Sequence, residues 1–195
     1  VEPADRPAGP WCRLALLLAD GRELRFIDTR KFGRLVWTPD PALLLAGLGP
    51  EPLDGPWDGA AFASALRARR RRLKPLLLDQ RFLAGLGNIY TDEALFRARL
   101  HPLAASDRVP RSRALALWDA IRATLNAAIE AEGSSFDTFY RTPAGRPGSY
   151  QHRFQVYGRA GQACPRCAAK IRRIVIAQRG SHLCPRCQRL PPSRG

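Results

Sequence analysis

Two pairs of cysteines near the C-terminus have the spacing of a metal site. They occur as Cys164-Pro-Arg-Cys167 and Cys184-Pro-Arg-Cys187. A tetrahedral Zn²⁺ can take two thiolates from each of two tight turns, and a two-residue gap lets both sulfurs of a turn reach one metal at about 2.3 Å. The sequence therefore predicts one structural zinc bound by Cys164, Cys167, Cys184 and Cys187. A redox dithiol would need a single pair at a helix start, and disulfides are a further alternative.

The segment between the cysteine pairs is predicted to be a β-hairpin. Four β-branched residues between positions 171 and 176 favour strands, and Gly180 predicts the tip of the turn. A closed four-cysteine site is structural, so the function must lie in what the hairpin displays. We expect it to display Lys170, Arg172, Arg173, Arg179 and His182. The fifth cysteine, Cys12, is expected to be a half-buried small hydrophobe.

The charge balance indicates a nucleic-acid partner. The chain of 195 residues has 32 Lys and Arg against 17 Asp and Glu, a formal net charge of +15. A GC-rich genome would scatter arginines, but here they cluster at residues 67–74 and 166–186, as in surfaces that follow phosphates. No apolar run approaches the roughly 20 residues that cross a bilayer, so we expect a cytoplasmic protein without a membrane partner.

The first forty residues predict strands. Apolar-rich runs at 13–18 and 23–28 are joined across Asp20-Gly21, a strong hairpin signal, and residues 34–38 predict a third strand. The loop at 28–33 places Phe32 between cations; the alternative is that Phe32 packs in the core.

Residues from 59 onward have helical periodicity. Asn88 is expected at or near the N-cap of the third helix, where free backbone N–H groups bind phosphate. The fourth helix is expected to pack one face, made of Leu115, Trp118, Ile121, Leu125 and Ile129. The four predicted helices are 61–72, 75–83, 89–99 and 111–132, and a long functional loop is expected at 142–161.

The fold class is accordingly α+β. The predicted divisions are strands at 1–40, a linker at 41–58, a helical domain at 59–145, a loop and connection at 146–162 and the zinc finger with its hairpin at 163–190.

Several motifs in order resemble the formamidopyrimidine-DNA glycosylase family over nearly the whole chain. The first group lies in the predicted strands and linker, at residues 28–33 and 48–53. The others are Lys74-Pro-Leu-Leu-Leu-Asp-Gln80, Gly85-Leu-Gly-Asn-Ile-Tyr90, Asp92-Glu-Ala-Leu-Phe96, His101-Pro102, Gln155-Val-Tyr-Gly-Arg159 and the cysteine quartet. The resemblance implies that the strands at 1–40 are the remnant of an antiparallel β-sandwich domain, that residues 59–145 form a helix-two-turn-helix domain and that 146–162 contain the lesion-recognition loop. It also implies base-excision repair of oxidised purines such as 8-oxoguanine. A monomeric bifunctional glycosylase and AP lyase would flip the damaged nucleotide out of double-stranded DNA.

The resemblance also implies roles for individual residues. Phe32 is the wedge that fills the hole left by the flipped base, and Arg30 bonds the orphaned partner base. Lys74 and Asn88 hold backbone phosphates, and Arg69 stands where a DNA-contacting lysine is common. Arg179 grips phosphates and donates a proton in the second elimination step.

The loop from Arg146 through Ser149 to Tyr150 resembles the segment that closes over the everted base. Trp11 stands where the family often has a DNA-contacting histidine.

One family feature is absent from the sequence. The family attacks the sugar with an N-terminal proline followed by glutamate, and Val1-Glu2-Pro3 is not that motif. We therefore expect the catalytic segment to precede Val1 in a longer, nucleoid-associated bacterial protein, and this chain alone to bind DNA without excising a base. The alternatives are a complete, non-catalytic zinc-finger DNA-binding protein and a zinc-ribbon RNA binder.

Overall fold

A computed structural model describes residues 1–135, 142 and 145–190, and it has the α+β class predicted from the sequence. The strands are β1 (Glu2–Pro3), β2 (Cys12–Leu17), β3 (Arg22–Ile27), β4 (Arg172–Ile176) and β5 (Arg179–Leu183). The helices are α1 (Pro41–Leu45), α2 (Gly59–Arg67), α3 (Leu73–Leu77), α4 (Asn88–Arg97) and α5 (Arg111–Glu130), with 3₁₀ turns at Ser106–Arg108 and Tyr150–Arg153.

The N-terminal strands form a small antiparallel sheet in the order β1-β3-β2. The hairpin between β2 and β3 is confirmed within one residue at each end, and Gly21 adopts a left-handed φ of 79° at its turn. The Asp20 side chain stabilises this turn by accepting the Arg22 N–H at 3.1 Å. Strand β1, which pairs Glu2 with Glu23, was not predicted from the sequence.

The predicted strand at 34–38 is wrong. These residues have no regular secondary structure, and Trp37 is 96% exposed. A strand is stabilised by a neighbour that takes its N–H and C=O groups, and no described strand pairs with this segment. The predicted linker instead contains α1, which Asp40 caps by accepting the Ala42 N–H at 3.0 Å.

The helical core lies between α2, α3, α4 and α5. Asp58 caps α2 by accepting the Ala61 N–H at 2.7 Å, and Phe62 from α2 stacks on Trp118 from α5 with ring centroids 5.0 Å apart. Trp118 and Ile121 are buried as predicted, whereas Ile129 is 65% exposed because α5 extends past the core. Among the described residues, none of the helices combines the length and the apolar character needed to span a bilayer.

The helices end earlier than predicted because the chain between them makes specific contacts. After α2, residues 68–72 pair with the turn at Ser106, whose N–H donates to the Arg71 carbonyl at 2.8 Å. After α3, the chain makes two tight turns fastened by Gln80. The Gln80 side chain accepts the Gly85 N–H at 2.9 Å and donates to the Leu86 carbonyl at 3.1 Å.

The C-terminal hairpin of β4 and β5 is confirmed, but its tip is not at Gly180. The turn consists of Ala177 and Gln178, with φ values of 47° and 62°, and Gly180 pairs with Val175 inside the ladder. Two consecutive left-handed residues give the two-residue turn whose twist matches that of the flanking strands. The glycine therefore marks a close contact within the strand.

Candidate metal site and nucleic-acid interface

The four cysteine sulfurs converge on one point. All lie within 4.8 Å of one another, and the Cys164–Cys187 and Cys167–Cys184 Sγ distances are 3.9 and 3.5 Å. A tetrahedral zinc with sulfurs at about 2.3 Å requires sulfurs about 3.8 Å apart, so these thiols fit the metal. The predicted site for one structural zinc is confirmed. Cys12 has no place in it.

The metal-binding turns are fastened to the helical core. Gln188 is buried; its side chain accepts the Cys184 N–H at 2.9 Å and donates to the Leu100 carbonyl at 2.9 Å. On the other side, the Arg166 guanidinium lies 4.3 Å from the Phe96 ring centroid and donates to the Phe96 carbonyl at 2.8 Å. Metal binding at the cysteines therefore fixes the hairpin against the C-terminal end of α4.

The opposite end of α4 contacts the hairpin at the Gly180 carbonyl. Asn88 Nδ2 donates to this oxygen at 3.2 Å, and Lys74 Nζ donates to it at 3.1 Å. Gly87 is the N-cap residue of α4, and Asn88 is the first helical residue. No side chain caps the N–H groups at this helix start. The first N–H groups of a helix have no acceptor within it and carry partial positive charge. The exposed Arg179 directly precedes Gly180 in β5, and its charge is one of the influences that lower the pKa of Lys74.

Lys74 is placed differently from its predicted role. The side chain is 0% exposed, and Nζ forms an ion pair with Asp92 Oδ1 at 2.6 Å. Burial lowers the pKa of Lys74, and the Asp92 carboxylate opposes that shift. The ammonium is closed to solvent in this conformation and bonds the Gly180 carbonyl, and a direct DNA contact by Lys74 stays a prediction.

Asp92 and Glu93, in the middle of α4, belong to one of the motifs of the sequence, but no role was predicted for them. Asp92 Oδ2 accepts the backbone N–H of His182 at 2.7 Å. Glu93 is buried and accepts the N–H groups of Val156 and Tyr157, each at 2.9 Å. Burial raises the pKa of Glu93, while these N–H groups lower it. The sequence signal that could have predicted this role was a pair of adjacent carboxylates, Asp92 and Glu93, in a helix whose other buried residues are mostly apolar.

His182 was expected on the displayed face and is buried. Its imidazole contacts Tyr157, with ring centroids 4.8 Å apart, and its backbone is held by Asp92. The burial along β5 does not alternate: Arg179 is exposed and Gly180 half-buried, and residues 181–183 are all buried where the strand contacts α4. The basic residues Lys170, Arg172, Arg173 and Arg179 are exposed as predicted.

The loop between β3 and residue 34 is organised around Asp28. Its carboxylate accepts the N–H groups of Arg30, Lys31 and Gly33 at 3.0, 2.9 and 2.7 Å. The N–H of Gly33 is the main cause of the lowered pKa of Asp28. Phe32 is 79% exposed at the tip, so the alternative that it packs in the core is wrong. The Arg30 guanidinium lies 5.5 Å from the Phe32 ring centroid.

The predicted recognition loop lies against the end of α5. Ser149 is exposed and donates its backbone N–H to the Ala131 carbonyl at 2.8 Å, while Arg146 is exposed and lies 3.5 Å from Glu132 in an ion pair. Tyr150 is fully buried, with its ring 5.5 Å from that of Tyr90, and burial raises its pKa. The ring is closed to solvent in this conformation, and a DNA contact by Tyr150 stays a prediction. Residues 143 and 144 of the long loop predicted at 142–161 lie outside the described residues.

Arg69 is exposed but engaged with the helical core. Its guanidinium lies 4.8 Å from the Phe82 ring centroid and donates to the Ala65 carbonyl at 2.8 Å. The described contacts of Arg69 do not join it to the cluster of Asn88, Gly180 and Arg179.

Two segments of the chain match known protein families. Residues 48–140 match the family described as "Formamidopyrimidine-DNA glycosylase H2TH domain", and residues 161–190 match "Zinc finger found in FPG and IleRS". The formamidopyrimidine-DNA glycosylase of Roseiflexus sp. (strain RS-1) is 48% identical over 191 residues, which are 97% of this chain and 70% of the relative. The chain belongs to the formamidopyrimidine-DNA glycosylase family. The resemblance inferred from the motifs is confirmed.

Solved structures of this glycosylase family have the same fold. The crystal structure of the MutM (Fpg) protein from Thermus thermophilus has a TM-score of 0.87 at 46% identity, over 95% of this chain and 71% of that chain. A complex between Lactococcus lactis Fpg and abasic-site-containing DNA has a TM-score of 0.86 at 39% identity, over 96% of this chain and 70% of that chain. The described geometry is thus that of a family whose members are DNA glycosylases.

Proposed function

We propose that this protein is a DNA glycosylase with AP lyase activity that excises oxidised purines from double-stranded DNA. The observation that carries the proposal is the Gly180 carbonyl, which holds Asn88 beside the exposed Arg179 at an uncapped helix start. Free N–H groups, a side-chain amide and a guanidinium around one position suit a DNA phosphate. With the net charge of +15, this arrangement supports binding to the DNA backbone.

The loop around Asp28 supplies the proposed wedge. A large apolar ring held away from the core costs free energy in water unless it enters an apolar site, and a base stack opened by nucleotide flipping is such a site. We propose that Phe32 fills that gap and that Arg30 bonds the base left without a partner. Three N–H bonds from the loop to Asp28 hold both side chains outward before DNA binds.

The other residues predicted to contact DNA are proposed to have different roles. Arg146 and Ser149 are exposed and are proposed to face the everted base, whereas Arg69 is proposed to add only long-range attraction. Lys74 and Tyr150 are proposed as positioning residues behind this surface because both are buried. Arg179 is proposed to grip a phosphate and to donate the proton of the second elimination step. We further propose that the protein acts as a monomer in the bacterial cytoplasm, at the nucleoid.

The attack on the sugar needs an unprotonated amine that can reach C1′. Lys74 contacts the carbonyl of Gly180, the residue that follows Arg179, but its ammonium is bonded to Asp92 and Gly180 and closed to solvent. We therefore propose that residues 1–195 bind duplex DNA and do not form the covalent intermediate by themselves.

Borohydride trapping tests the proposal. Duplexes with one 8-oxoguanine are incubated with residues 1–195, and with a longer form if the gene encodes an in-frame Met-Pro-Glu start upstream. Salt-sensitive binding by both and trapping by the longer form alone is the expected result. Binding by both without trapping would instead favour a non-catalytic DNA-binding protein, and trapping by residues 1–195 would overturn the assignment of the nucleophile.

Binding is checked separately with Arg179→Ala and Asn88→Ala. Each should weaken duplex binding. Arg179→Ala, which removes a cation, should also lower the salt dependence of the affinity by about one unit of slope if it removes one phosphate contact, whereas the neutral Asn88→Ala should leave the slope nearly unchanged. The matched control is Arg153→Ala, which removes an exposed cation outside the cluster. Equal effects of Arg179→Ala and Arg153→Ala, with no effect of the neutral Asn88→Ala, would show that net charge alone, and no built phosphate site, explains the binding.

A further inference from the structure

A cavity at the far end of α4 has no role in the proposed DNA chemistry. It has a volume of about 250 Å³ and lies where the chain leaves α4 and enters the turn before α5. Its apolar wall includes Leu100, Val109 and Pro110, and the end of the zinc finger closes it with Leu190. Small-molecule sites typically occupy roughly 300–1,000 Å³, so this cavity suits one or two side chains.

Two arginines stand at the cavity without an acidic partner. Arg108 and Arg189 both line it and both are exposed, and neither forms an ion pair with any residue in the ranges 1–135, 142 and 145–190. The adjacent carboxylate of Asp107 is directed to Arg70, 3.7 Å away. An occupant of the cavity therefore meets uncompensated positive charge beside an apolar surface.

The cavity is built from two parts that are fixed to each other. Leu100 and Val109 are buried on the helical side, and Gln188 connects that side to the zinc finger through the Leu100 carbonyl. Arg189 and Leu190 follow Gln188 directly. The cavity thus has a preformed wall, which lowers the ordering cost of binding.

We propose that this cavity is a docking site for an acidic peptide segment of another protein that inserts a large apolar side chain. The apolar wall accepts a leucine or phenylalanine side chain, and carboxylates flanking that side chain meet Arg108 and Arg189. Charge complementarity selects an acidic segment, and the cavity volume selects a single anchor residue.

Nucleic acid is the weaker occupant on the same observations. Bases bind proteins by stacking on aromatic rings, and among the described residues that line the cavity the one aromatic ring is the imidazole of His101, which accepts the Leu103 N–H at 3.1 Å. The proposed phosphate site at Asn88 lies at the other end of α4, about 15 Å away along ten residues of helix. The peptide and the duplex should therefore bind independently.

The five residues after Leu190 do not have the required chemistry. Their sequence is Pro-Pro-Ser-Arg-Gly, without an acidic or a large apolar side chain. An intermolecular partner is therefore favoured over this segment of the chain.

Fluorescence anisotropy with a labelled Asp-Asp-Phe-Asp-Asp peptide, which has a single apolar anchor between carboxylates, tests the proposal on the zinc-loaded chain. Arg108→Ala and Arg189→Ala should each weaken binding about two- to fivefold, as expected for exposed charge pairs. Replacing the peptide phenylalanine by serine, or filling the cavity with Ala105→Phe, should weaken it at least about tenfold. Arg34→Ala, which removes an exposed cation elsewhere, is the matched control and should change the affinity less than about twofold.

The results that would contradict the proposal each point to a different explanation. Equal binding of the serine peptide, or equal loss with Arg34→Ala, would show attraction by net charge only and overturn the proposal. Competition by a short duplex or single strand that is lost in Arg108→Ala would make nucleic acid the occupant, and much tighter binding after removal of residues 191–195 would make that segment the occupant. Asn88→Ala should leave peptide binding unchanged, so failure here is separable from failure of the proposed DNA function.

Discussion

Lys74 Nζ lies 2.6 Å from Asp92 Oδ1, and both side chains are completely buried. The same ammonium bonds the Gly180 carbonyl, and the other Asp92 oxygen bonds the His182 N–H, so one ion pair joins two helices to the hairpin. A buried ion pair offsets its own desolvation only when further hydrogen bonds satisfy both groups. Here they do, and the bonds determine where Asn88 and Arg179 stand.

We expect Lys74→Met to destabilise the fold by about 3–5 kcal/mol, because it leaves the Asp92 carboxylate buried without its cation. Urea unfolding measures the change. Arg71→Ala is the control: it breaks the Arg71–Asp79 pair, which has the same 2.6 Å separation but is partly exposed, and should cost about 0–1 kcal/mol. Equal costs for the two variants would contradict the structural role of the buried pair.

Metal removal should release the hairpin while leaving the helices intact. Each chain should contain one zinc by elemental analysis, and Cys184→Ser should lose it and weaken duplex binding, because Arg179 is then no longer held against α4. Far-ultraviolet circular dichroism should retain its helical signal. Cys12→Ser should keep both the zinc and the affinity, and a loss of zinc in that variant would contradict the assigned ligand set.

Truncating the exposed ring of the Asp28 loop should affect DNA binding and not stability. Phe32→Ala should change the free energy of unfolding by less than about 0.5 kcal/mol because the ring has no packing to lose. It should weaken binding to a duplex containing an abasic-site analogue about tenfold or more, and binding to the intact duplex far less. Ile129→Ala, at an exposed apolar residue of α5, is the control; similar losses for both duplexes would refute the wedge role.

Stability should depend on pH through His101. Burial lowers the pKa of His101, and the ring accepts the Leu103 N–H through Nδ1, which requires that nitrogen to be unprotonated. The folded state therefore resists protonation, so this contribution is complete above the ordinary pKa of about 6.5 and is lost as pH falls through the lower folded value.

Unfolding of the wild type and of His101→Asn should be compared between about pH 5 and 8, which spans the ordinary histidine titration. The asparagine oxygen can accept the same N–H without titrating, so the difference in stability between the two proteins should shift in favour of the variant at low pH. A difference that is constant across this range would show that His101 does not titrate with unfolding.

The spacing of residues within short segments was sufficient to predict several features of the structure. The cysteine pairs determine their ligands because each turn is four residues long, and Asp20-Gly21 determines its hairpin because the turn needs only its own dihedral angles. The helices were located by periodicity, but their ends were set by distant contacts, such as the turn at Ser106 that draws residues 68–72 out of α2. The segment at 34–38 has strand composition and no described strand partner, which composition cannot reveal.

The sequence by itself determined the metal ligands, the class of fold, the basic charge and the family, because each depends on residue types at short separations or in a fixed order. Tertiary structure alone decided that Lys74 is buried, that Asp92 and Glu93 hold the hairpin and the loop at Val156, and that Tyr150 packs inward. Those facts depend on contacts between residues 18 to 106 positions apart, and such contacts form only when helices and strands fold together. A lysine on a basic surface and a lysine in a buried ion pair have the same letter in the sequence, and only the neighbours brought by folding distinguish them.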